Sequence, residues 1–111
     1  MIENLTENCG EIMWNDDKCN HIIAVGNGTF INDEKTILIM TEARDQVIVL
    51  DEKGNEISEI FNSESVYLMY LQKHPRFGIG IVASIKDENN HWNDKFLAYT
   101  NRKFVPVVNS R

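Results

Sequence analysis

The stretch Thr36–Phe61, TILIMTEARDQVIVLDEKGNEISEIF, decides the fold. It holds three runs of strand length, Thr36–Thr41, Gln46–Leu50 and Glu56–Phe61, rich in Ile and Val,. Between the last two lies Asp51-Glu52-Lys53-Gly54-Asn55, a hairpin loop whose glycine is placed to take positive φ,. The run EISEIF alternates polar and apolar residues, as a strand with one wet face does. Ile37–Met40 and Val47–Leu50 are apolar at consecutive positions and predict strands covered on both faces,.

The β pattern extends in both directions. Upstream, His21–Val25 (HIIAV) reads as a strand stopped by Gly26-Asn27-Gly28,. Downstream, Asn62–Ser65 breaks the pattern. The scheme then repeats in Val66–Gln72, Phe77–Ile85, Lys95–Thr100 and Lys103–Val108, with a tight turn at Asn101-Arg102,. Pro106 lacks an N–H and places the last strand at a sheet edge. Landmarks recur between the halves at about 45 residues, the spacing of propeller-blade modules,. Two such modules cannot close a ring. The predicted fold is therefore all-β and a single domain over 1–111. Its two four-stranded antiparallel meander sheets, 21–61 and 66–108, are propeller-blade-like and pack as a β-sandwich. Residues 1–20 form an N-terminal arm, and Trp14 is expected to plug the outer face of the first sheet, where strands apolar on both sides need cover.

The chain has 111 residues, enough for one modest core,. Its N-terminus is polar and acidic, without the positive start and apolar run of a signal peptide, and no run of about 20 apolar residues follows,. A cytoplasmic protein is expected. The formal net charge is −6, unevenly spread. Residues 1–65 hold 14 Asp or Glu against 4 Lys or Arg, while residues 66–111 hold 3 against 7.

No motif names a chemistry. Cys9, Cys19 and His21 lack the tight pairs of a zinc site, so no metal and no cofactor are expected, and the cysteines read as free thiols. There is no nucleophile elbow, and His21, His74 and His91 fall on a strand start, a turn and a loop, so the chain is not read as an enzyme. Gly26-Asn27-Gly28 and Gly78-Ile79-Gly80 precede no helix and do not form dinucleotide loops. The second half interleaves Tyr67, Tyr70, Phe77, Phe96 and Tyr99 with Lys and Arg, the composition of a small nucleic-acid or ligand-binding surface; the overall charge opposes nucleic acid,.

Acidic turns are the remaining signal. In a meander alternate connections emerge at one end, which would bring Asp33, Glu34, Asp51 and Glu52 into one rim suited to a basic cleft. Trp92, in the polar loop Asn89–Asp94, is the candidate aromatic anchor. Size, acidity and β architecture together resemble the immunity proteins of bacterial toxin–immunity systems of the contact-dependent growth inhibition type. The resemblance implies a non-enzymatic inhibitor that covers the basic active site of a cognate nuclease-type toxin. It implies no membrane partner, and a monomer or weak homodimer. A self-associating structural module is a further expectation from the apolar sheet faces.

Overall fold

The computed structural model describes residues 1–109, and every regular element among them is a β-strand. Eleven strands form three antiparallel meanders. The first sheet is β1 (Glu3–Asn8), β2 (Glu11–Asn15) and β3 (Asn20–Ala24). The second is β4 (Thr29–Asn32), β5 (Thr36–Met40), β6 (Gln46–Asp51) and β7 (Glu56–Phe61). The third is β8 (Val66–His74), β9 (Gly78–Lys86), β10 (Trp92–Thr100) and β11 (Lys103–Asn109).

This all-β architecture departs from the expected two sheets. Residues 1–20 are not an arm but most of a third sheet. His21–Ala24 joins that sheet, and Thr29–Asn32 replaces it as first strand of the second. Strand β1, ENLTEN, is an exposed edge whose one apolar residue is the half-buried Leu5, so it shows no alternation to read,. Strand β4 has only four residues, set between Asn27-Gly28 and Asp33-Glu34.

Register accounts for the double-faced strands. Leu38 pairs with Val49, and Met40 with Val47; these four side chains form one core with Leu68, Ile79, Ile81, Ala83 and Leu97 of the third sheet. On the opposite face Ile37, Ile39 and Leu50 pack with Ile2, Ile12 and Trp14 beside the first sheet. Trp14 is 1% exposed. Strand β7 alternates because only one of its faces is covered. Ile57 and Ile60 pack toward the third sheet. Glu56 and Glu59 lie opposite Leu50 and Ile48, on the side facing the three-stranded sheet, and both are exposed.

Four of the hairpins share one device. Asp16 and Asp33 each accept two backbone N–H groups of the following turn on Oδ1, from Lys18 and Cys19 and from Lys35 and Thr36. Asp51 does the same for Lys53 and Asn55, and Asp87 for Asn89 and His91. Such side-chain caps mimic the turn's own hydrogen bonds. Asn101 and Arg102 both take positive φ, 51° and 64°, the type I′ geometry of a two-residue hairpin,.

Candidate binding surface

Meander topology sends the β2–β3, β4–β5, β6–β7 and β10–β11 turns to one end of the molecule. Two adjoining concavities open there. The first, about 280 Å³, is lined by Asp16, Asp17, Lys18, Cys19, His21, Glu52 and Lys53. The second, about 730 Å³, contains Asp33, Lys35, Asp51, Glu52, Lys53 and Arg102. Asp33, Asp51 and Glu52 therefore line one groove, and Glu34 is next in the chain to Asp33. The Glu34 carbonyl accepts the Ile2 N–H at 2.7 Å, which ties the first sheet to this turn. The acids are interleaved with Lys18, Lys35, Lys53 and Arg102, so the rim is acidic but not uniformly so.

The carboxylates differ in freedom. Asp16 is held far below the usual carboxylate range by the Lys18 N–H, then by His21 and the Cys19 N–H,. Its Oδ2 lies 2.8 Å from His21 Nε2, and the His21 ring stacks on Trp14 with centroids 5.1 Å apart. For Asp51, partial burial pushes the carboxyl up, but hydrogen bonds from the Asn55 backbone and side chain and the Lys53 N–H outweigh it, with the Lys53 charge adding to them; the net shift is downward. Glu52 is paired with the α-amino group of Met1. The side chain of Glu34 is exposed, and among the described residues no ion pair or hydrogen bond engages its carboxylate. Tyr99 also lines the groove; among the described residues its hydroxyl has no hydrogen-bond partner, and burial raises its pKa.

Trp92 is placed elsewhere. It opens β10 rather than lying in a loop, is 48% exposed, and has Lys86 Nζ 5.9 Å from its ring centroid. Thr100, which lines the groove, is at the other end of β10, about 26 Å away at the rise of an extended strand,. Trp92 and the acidic rim are thus separate features. Register puts Trp92 on the outer face of the third sheet with Tyr67 and Tyr70, which are also about half exposed. On that face His74 stacks on Phe96 and accepts the Arg76 and Phe77 N–H groups on Nδ1. His91 lies at the opposite end of the sheet. Cys9 and Cys19 are exposed free thiols in turns at opposite ends of β2. Among the described residues no group of three His, Cys, Asp or Glu side chains is gathered to hold a metal ion, and no helix is long and apolar enough to cross a membrane.

The sequence pointed to Asp33, Glu34, Asp51 and Glu52 as one rim but did not place Asp16 and His21 beside them. Their signal was Asp16-Asp17 four residues before His21 at a strand start, which reads as a turn only once β2 and β3 are known. Comparison with protein-family models, curated proteins and solved structures finds no match to this chain.

Proposed function

We propose that this protein is a non-enzymatic, cytoplasmic inhibitor that covers a basic cleft on a partner, as an immunity protein covers the active site of a nuclease-type toxin. One observation carries the reading: Asp16, Asp17, Asp33, Asp51 and Glu52, from two sheets, line adjoining concavities at one end of the molecule and outnumber the Lys18, Lys35, Lys53 and Arg102 set among them. A negative patch of this kind draws in a cationic partner and repels phosphate. Three of its aspartates are fixed by the turns they cap, so their ordering entropy is lost on folding and not on binding,. The packed, blade-like sheets serve as the frame that aligns these turns, the second and third sharing a core in the manner of a sandwich.

The experiment is an inhibition titration against the nuclease domain of a toxin that the neighbouring reading frame is examined for. Loss of nuclease activity at a 1:1 ratio supports the reading. Full activity at a large excess of the protein rejects it.

A second reading, a small nucleic-acid or ligand binder, has its own observation in Tyr67, Tyr70 and Trp92, half exposed on one sheet face beside Lys86,. The net charge of −6 favours the first,.

A further inference from the structure

Six strands are sheet edges: β1, β3, β4, β7, β8 and β11. An exposed edge offers unpaired N–H and C=O groups to any extended chain, and proteins commonly blunt it with bulges, prolines, charges or shortness. Five of the six are blunted. Strand β1 is bulged between Glu3 and Thr6. Strand β4 has four residues. Strand β7 carries a bulge together with Glu56 and Glu59. Strand β8 carries a bulge and Lys73, and β11 carries a bulge and Pro106.

Strand β3, Asn20-His21-Ile22-Ile23-Ala24, has none of these devices and pairs with β2 in unbroken register. The phase of its ladder is set by two hydrogen bonds, Asp16 N–H to the Cys19 carbonyl and Val25 N–H to the Gly10 carbonyl. Residues 21, 23 and 25 therefore bond to β2, while the N–H and C=O groups of Asn20, Ile22 and Ala24 point to the free edge. Ile22 is 61% exposed there.

Beneath this edge runs a groove of about 360 Å³ whose lining includes Ile23, Val25, Ile39, Ile48, Leu50 and Glu56. It lies where the first sheet has three strands and its neighbour four. The uncovered face of β7 next to it presents Glu56 and Glu59. A second copy of the chain is a poor occupant, since it would bring together two halves that each carry ten excess acids,. An extended basic chain matches the apolar floor, the acidic wall and the free backbone groups at once.

We propose that an extended, Lys- or Arg-bearing segment of the partner protein adds to β3 as the fourth strand of the first sheet. Main-chain hydrogen bonds to Ile22 and Ala24 hold it, apolar side chains enter the groove, and basic ones meet Glu56 and Glu59. This deepens the proposed function and rests on its assumption of a basic partner. Because β3 begins at the turn that carries Asp16 and Asp17, the added strand would enter from the acidic end.

The probe is a synthetic, end-capped peptide of alternating Lys and Val, with the Glu/Val peptide as its counterpart. Amide hydrogen exchange and NMR shifts of the whole protein are read. Protection at Ile22 and Ala24 by the basic peptide alone is expected. Ile22→Pro removes one free-edge N–H and leaves the β2 ladder intact, so it should weaken peptide binding at least about tenfold, the loss of one or two hydrogen bonds. Should that variant fail to fold, Glu56→Lys with Glu59→Lys reads the same site without touching the backbone, and it should transfer the preference to the acidic peptide. Equal binding of both peptides by the parent, protection confined to other strands, or a dimer formed through β3 overturns the proposal. An affinity of the Ile22→Pro variant for the toxin equal to the parent's overturns strand addition alone. Failure of inhibition by the parent, with peptide protection intact, overturns the toxin assignment alone.

Discussion

The indole Nε1 of Trp14 donates a 2.7 Å hydrogen bond to the carbonyl oxygen of Glu52. One buried side chain thus joins the first sheet to the β6–β7 turn, and the same turn supplies Glu52 and Lys53 to both concavities. The core of the domain and the shape of its acidic end are coupled at this contact.

Replacing Trp14 should therefore act on both. Trp14→Ala removes a fully buried indole and should cost about 3–5 kcal/mol. Trp14→Phe keeps much of the packing and should cost about 1–3 kcal/mol, the penalty of leaving the half-buried Glu52 carbonyl without its donor,. Urea midpoints of the two variants against the parent check the order. Equal midpoints for parent and Trp14→Ala would place the indole at the surface.

Asp16 predicts an acid limb. Its folded pKa lies below its unfolded value, so the unfolded chain binds the extra proton as pH falls,. The stabilisation is complete above the ordinary aspartate pKa of about 3.9 and is lost as pH drops below it toward the folded value. Asp51 and Asp87 shift the same way and add to the limb. Asp16→Asn should flatten it, as read from thermal midpoints between about pH 2 and 6. An unchanged slope would show that the turn does not hold the carboxylate.

Gly80 is required by space. A Cβ there would lie 2.2 Å from the Leu97 carbonyl oxygen and 2.7 Å from the Phe96 ring. Gly80→Ala should destabilise by about 1–3 kcal/mol or more, since neither neighbour can retreat without breaking the β9–β10 ladder,. Denaturant unfolding measures it, and a neutral result would mean that Phe96 does not lie over this position.

Arg102 is the opposite case. It holds φ at 64° in a two-residue turn where glycine is favoured,. Arg102→Gly should raise stability by up to about 1 kcal/mol, seen as a higher thermal midpoint.

The legible parts of the fold are those with unambiguous chemistry. The Asp51–Asn55 loop, the Asn101-Arg102 turn, the edge position of Pro106 and the burial of Trp14 were each readable from residue type and spacing. So were the double-faced strands Ile37–Met40 and Val47–Leu50. The first sheet was not, because Glu3–Asn8 gains its structure from pairing with β2 and carries no apolar stripe of its own. His21–Val25 was read as a strand but given to the wrong sheet, since nothing in five residues states which neighbour they pair with. The acidic turns were legible as charge; their role as turn caps, which makes Asp33 and Asp51 structural as well as electrostatic, needed the hydrogen bonds.

That distinction selects the residues for the central test. Reversing Asp33 or Asp51 would break turns as well as change charge, whereas Glu34 and Glu52 cap no turn and Glu52 gives up only its exposed pair with the Met1 amino group. The measurement is the association rate of Glu34→Lys/Glu52→Lys and of the parent with the basic toxin domain, by stopped flow at about 20 mM and 1 M salt. An acidic end that steers encounter predicts at least about tenfold slower association of the variant at low salt and much less difference at high salt, where screening shortens to about 3 Å. Equal rates for the two proteins at low salt would contradict it.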